Sequence, residues 1–96
     1  SPALTLIDRL EDGGATVDYH DPFVPEIPQT REHAALAGRR SVELSADVLR
    51  NFDAALIVTD HDAIDFEALV AASKLVIDTR GATRTMTTHR DRIRSA

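Results

Sequence analysis

The chain has 96 residues and a mass of 10.5 kDa, the size of one small domain with a modest core and too short for a complete two-domain, cofactor-using enzyme. Sixteen Asp and Glu against eleven Lys and Arg give a formal net charge of −5, which disfavours a broad nucleic-acid surface. There is no cysteine, which excludes disulfides, thiolate nucleophiles and cysteine-type zinc within the chain. No apolar stretch approaches the ~20 residues that cross a bilayer, and no membrane partner is expected. Ser1-Pro2-Ala3-Leu4 does not read as a signal peptide.

Ser1 and Pro2 read as an N-cap followed by proline at the first helical position, where its missing N–H costs nothing. Leu4, Ile7 and Leu10 recur at helical spacing, and Gly13-Gly14 stops the element, so residues 2–12 are predicted helical. Residues 16–20 alternate, with Val17 and Tyr19 on one face and Asp18 and His20 on the other, as in an edge strand. Pro22 ends it, and Pro25 and Pro28 prolong an irregular stretch. A helical turn is expected within 29–37, closed by Gly38, and a short strand over 41–44.

Ser45 or Asp47 caps a short helix containing Val48, Leu49 and Phe52. Residues 54–59 are continuously apolar up to Thr59, the pattern of a central parallel strand covered on both faces. Asp62 or Asp65 caps a helix over 66–73 whose inward face holds Phe66, Leu69 and Val70. Leu75-Val76-Ile77 is a second buried strand, ending at Asp78-Thr79-Arg80-Gly81. Residues 83–96, poor in large apolar side chains, read as a weakly structured tail with a weak terminal helix.

This order of elements indicates a Rossmann-like α/β fold, a parallel sheet with helices on both faces and right-handed crossovers. A doubly wound fold normally opens on its central strand, whereas this chain opens on a helix. Either the fold is differently arranged, or the chain is a fragment lacking the first central strand; residues 1–96 are expected to form a single domain.

Ligands of open α/β sheets bind beyond the carboxyl ends of the strands. Three polar clusters stand at those predicted ends: His20-Asp21, Thr59-Asp60-His61-Asp62 and Asp78-Thr79-Arg80. Arg80 leads, because a guanidinium fork suits phosphate or carboxylate; its alternative is an ion pair with Asp78 or Asp21. Thr59 and His61 could line a cleft, or serve the cap of the following helix. Histidine is a common general base, but His61 has no nucleophile beside it in the sequence. Metal ligation by Asp60, His61 and Asp62, or by His20 and Asp21, would need adjacent turn residues to converge. Asp18 or Asp21 invites a ribose-binding reading, yet G-x-G-x-x-G is absent. Arg39-Arg40 reads as a solvated loop edge, and Arg80, Arg84, Arg90, Arg92 and Arg94 as a basic end, much of it solvated. The stretch Thr83–Thr88 suggests no chemistry.

Ser1-Pro2-Ala3-Leu4, the run from Val17 to Pro25, Thr30-Arg31-Glu32-His33, residues 54–61 and Val76-Ile77-Asp78-Thr79-Arg80 together resemble the C-terminal domain of the UDP-glucose/GDP-mannose dehydrogenase family. Within it, the chain most resembles the UDP-N-acetylglucosamine 6-dehydrogenases. The resemblance implies a three-part enzyme: an N-terminal domain that binds NAD, a helical middle region that supports a homodimer, and this domain for the UDP-sugar. Such enzymes oxidise the sugar C6 hydroxyl to a carboxylate in two NAD-dependent steps through a cysteine-linked intermediate. It implies a cytoplasmic enzyme of polysaccharide biosynthesis, with NAD and all catalytic residues outside this chain and the chain alone inactive. Arg80 is the substrate contact that carries over, and Thr59 and His61 match a motif near the cleft. The family commonly has asparagine where this chain has Gly81. The competing reading is a small α/β interaction or regulatory domain without ligand.

Overall fold

The first helix, α1 (Pro2–Asp12), forms as its apolar stripe predicts, with Ile7 buried. The computed structural model describes residues 2–96; the capping role expected of Ser1 lies outside them. The helix ends in a Schellman-type turn: Ala15 N–H donates to Leu10 O at 3.0 Å, Gly14 N–H to Glu11 O at 3.0 Å, and Gly14 takes φ +99°. Two compact units make up the chain, Ser1–Glu43 and Leu44–Ala96.

In the first unit Ile7, Ile27 and Leu36 form a buried cluster, with Leu4, Val17 and Tyr19 packed on it. The strands expected at 16–20 and 41–44 do not form. Val17 and Tyr19 do share an inward face, but a strand also needs a ladder. Here Tyr19 O accepts a single bond from Val42 N–H, at 2.8 Å, and among the described residues of this unit the only bridge is the isolated antiparallel one between Glu26 and Arg40. Pro22, Pro25 and Pro28 leave too few donors in the intervening segment to extend pairing. The helical turn expected within 29–37 contracts to a single 3-10 turn, Ala34–Leu36.

In the second unit α2 (Ala46–Arg50) is capped by Ser45, whose Oγ accepts from Val48 N–H at 3.2 Å, so Asp47 is not the cap. Then follow β1 (Ala55–Ile57), α3 (Phe66–Ala72), β2 (Val76–Asp78) and β3 (Ile93–Ser95). Asp65, not Asp62, caps α3, its Oδ1 accepting from Ala68 N–H at 3.1 Å. All pairing is parallel, in the order β1-β2-β3. The small parallel sheet flanked by helices is the Rossmann-like α/β arrangement expected.

Two further expectations are corrected in this unit. The middle strand of the sheet is β2, not the apolar run at 54–59. The terminal residues form a 3-10 turn (Arg90–Arg92) and then β3, instead of a weak helix. A three-residue strand needs only one inward side chain, and Ile93 supplies it, 7% exposed in a core with Leu49, Ile57, Leu69, Val70 and Val76. Periodicity cannot be read from one residue. Replacing Ile93 by Ala should therefore cost about 2–4 kcal/mol in urea unfolding, a loss that a disordered tail would not show.

Candidate functional site

Parallel register brings the strand ends to one rim, with Ile57 opposite Asp78 and Asp78 opposite Ser95. The pairing runs one residue further on both sides. Thr79 donates to Ile57 O from its N–H (3.1 Å) and its Oγ1 (2.6 Å), and Ala96 N–H donates to Asp78 O at 3.1 Å. The loops beginning at residues 58 and 79 therefore leave the sheet side by side.

Two of the three predicted clusters, Thr59–Asp62 and Asp78–Arg80, are thus brought together. The third is not at a strand end. His20 Nδ1–H donates to Val42 O at 2.8 Å, while Asp21 accepts from Phe23 N–H at 2.8 Å and donates its own N–H to Ser41 Oγ at 2.9 Å. Both residues are committed to tying loops within the first unit.

Asp78 is the structural centre of the rim, 4% exposed. Its Oδ1 accepts from the N–H groups of Arg80 (3.0 Å) and Ala82 (3.1 Å), and its Oδ2 from Thr83 N–H (2.8 Å) and Thr83 Oγ1 (2.7 Å). Burial pushes the carboxyl pKa upward, but the Thr83 hydroxyl and the three N–H groups outweigh it and lower it to about 2. Thr83 is itself 1% exposed. It lay in the stretch that suggested no chemistry; an aspartate ending an apolar strand with a threonine five residues on was the available signal.

That network answers the main alternative for Arg80. The Asp78 carboxylate is filled by backbone and hydroxyl donors, and within residues 44–96 no acidic group pairs with the exposed Arg80 guanidinium. The neighbouring arginines are engaged. Arg90 donates to Thr83 O at 2.7 Å, and Arg94 to Asp91 O at 2.8 Å. Arg92 donates to Ala71 O (3.0 Å), Ser73 O (3.3 Å) and Val70 O (3.4 Å), closing the carboxyl end of α3. These arginines thus brace backbone, while Arg84, Arg90 and Arg94 remain exposed, as expected of a basic end that is largely solvated. Gly81 takes φ +71°, a region that glycine and asparagine enter more readily than other residues. The departure at this position therefore keeps the same backbone option.

Thr59 is exposed and His61 half-buried on the adjoining loop, where His61 O accepts from Ile64 N–H at 3.1 Å in the turn before α3. Among the described residues no three of His, Asp and Glu gather as metal ligands.

In the first unit the motif residues hold one another. Tyr19 Oη donates to Val24 O at 2.8 Å, with Arg39 O at 3.2 Å as an alternative acceptor; His33 Nδ1 meets Asp8 Oδ2 at 2.6 Å; Thr30 Oγ1 accepts from His33 N–H at 3.1 Å. Arg39 is not a solvated edge: its fork grips Glu11 at 2.6 and 2.8 Å, and this hydrogen-bonded pairing holds the Glu11 carboxyl below its ordinary range. Arg40 pairs with Glu26 at 2.9 Å.

A parallel sheet with a polar carboxyl rim is the architecture in which α/β proteins place their ligands. Residues 1–85 match the UDP-glucose/GDP-mannose dehydrogenase family, UDP binding domain, and the chain belongs to that family. It is similar to the UDP-glucose 6-dehydrogenase AglM of Haloferax volcanii, 37% identical over 83 aligned residues, in an alignment that covers 83% of this chain and 18% of that protein. The chain thus spans less than a fifth of that relative's length. No solved structure matches it.

Because folding lowers the Asp78 pKa from 3.8 to about 2, its ionised form stabilises the fold above the unfolded-state value. That contribution, on the order of 2 kcal/mol, is lost as pH falls through the folded-state value. Denaturant titrations between pH 5 and about pH 2 should show this drop in the native sequence and a flatter profile, from a lower starting stability, in the Asp78→Asn variant.

Proposed function

We propose that this chain is the nucleotide-sugar-binding part of an NAD-dependent UDP-sugar 6-dehydrogenase, with Arg80 holding the phosphate-bearing end of the substrate and Thr59 and His61 lining the same cleft. The observation that carries the reading is the Arg80 guanidinium: exposed on the rim, on a loop fixed from below by Asp78, and unpaired within residues 44–96. An uncommitted guanidinium on a fixed loop can form a charge-assisted, two-point contact with phosphate without first giving up a carboxylate.

The chemistry then lies elsewhere in a longer polypeptide. Oxidation of the C6 hydroxyl to a carboxylate takes four electrons, delivered as two hydrides to two NAD molecules. A thiol-linked intermediate between the two steps needs a cysteine, and this chain has none. NAD bound by another domain, a homodimer and a cytoplasmic setting belong to the same proposal. For the sugar, we propose UDP-N-acetylglucosamine, supported by the motif run Tyr19-His20-Asp21-Pro22, Thr30–His33, Thr59-Asp60-His61 and Asp78-Thr79-Arg80. UDP-glucose is the competing substrate, and comparing kcat/KM for the two sugars in the intact enzyme decides between them.

In the intact polypeptide, calorimetric titration should show UDP binding, and Arg80→Ala should weaken it about tenfold or more with the fold retained by circular dichroism. Absence of heat with UDP at millimolar concentration would instead favour a ligand-free interaction domain.

A further inference from the structure

The rim carries a second arginine with no structural need for its full hydrogen-bonding capacity. We propose that Arg84 is a further ligand-binding residue, supplying the second guanidinium to the diphosphate of a nucleoside diphosphate whose first contact is Arg80. This rests on the reading of the rim as a UDP-sugar site.

Three observations carry it. First, Arg84 and Arg80 leave one short turn, closed by Arg84 N–H donating to Gly81 O at 3.2 Å, and that turn hangs from Asp78 through Arg80, Ala82 and Thr83. The two side chains are therefore launched from backbone held in one geometry. Second, the Arg84 side chain folds back over Gly81. Its Nη1 donates to Gly81 O at 2.6 Å, and a Cβ on Gly81 would lie 3.8 Å from Arg84 Cδ. One of five guanidinium donors is thereby used and the group is kept beside the loop that bears Arg80. Third, its acidic partner is weakly held: Asp60 Oδ2 lies 3.9 Å away, and the two side chains are 69% (Arg84) and 43% (Asp60) exposed. A pair that long and that exposed contributes little and is readily exchanged.

Asp60 sits on the loop after β1, next to the one that bears Arg80. Its carboxylate opposes an incoming diphosphate, and Arg84 offsets it. Binding would move the Arg84 guanidinium from Asp60 to phosphate oxygen while the Gly81 carbonyl keeps the arm in place. A diphosphate carries more charge than one arginine balances, and the rim offers a second at the correct end of the sheet.

The test compares UDP, UMP and uridine by calorimetry on the intact polypeptide carrying Arg84→Ala, Arg84→Lys or Asp60→Asn. UDP affinity should fall about fivefold or more in Arg84→Ala, with a smaller loss for UMP and none for uridine. Arg84→Lys should recover part of it, and Asp60→Asn should bind UDP more tightly than the native sequence. A merely structural role would lower all three ligands together. Arg84→Ala within twofold of native for UDP, while Arg80→Ala is impaired, overturns this inference alone. Failure of the native protein to bind UDP overturns the underlying reading and this inference with it.

Discussion

The rim depends on a buried carboxylate. Placing an anion such as Asp78 at 4% exposure would cost several kcal/mol if it were unpartnered. Four donors reverse the balance, each charge-assisted hydrogen bond being worth about 1.5–3 kcal/mol. The pKa of about 2 is the sign that the hydrogen bonds win over burial. Because three of the donors are consecutive or near-consecutive N–H groups of the next loop, the same interaction folds that loop. Because the acceptor is filled, it leaves the intervening arginine without its obvious partner.

That division of labour explains how an acidic chain can present an uncommitted cation on its rim. Charge counted over the whole molecule is negative, but the relevant quantity is which cations are already satisfied. Arg90, Arg92 and Arg94 spend donors on backbone carbonyls of their own unit, and Arg92 in particular takes up the carbonyls that α3 leaves open at its carboxyl end. Arg39 and Arg40 are paired with Glu11 and Glu26. Arg80 differs from all of these by position: it follows a strand whose terminal acid is turned toward backbone.

The polar motifs of the first unit illustrate a different use of such residues. His20, Asp21, Tyr19 and Thr30 sit in a segment with few ladder hydrogen bonds, and their side chains bond its backbone in place of a ladder, while His33 pairs with the Asp8 carboxylate. Polar side chains at a loop are equally good at recognition and at such bracing, so their residue types alone did not separate the two roles. The place of Arg80 on the rim was legible because the apolar strand before it fixed its height on the sheet. Thr83 was not, because its partner is a residue five positions earlier, outside any helical or strand period.

The sequence by itself determined the helices with strong local signals: α1 by its apolar stripe and glycine stop, α2 and α3 by Ser45 and Asp65 at their starts. It determined as well that two apolar runs would pair in parallel and expose polar residues at their carboxyl ends, since stripe, cap and strand length act over a few neighbouring residues. Tertiary structure alone decided which strand lies in the middle, that Ile93 would recruit the last residues into the sheet, and that residues 16–20 and 41–44 would stay outside any ladder. Those outcomes are set by pairing between segments distant in sequence, where the free energy comes from the partner and not from the residue that is being read.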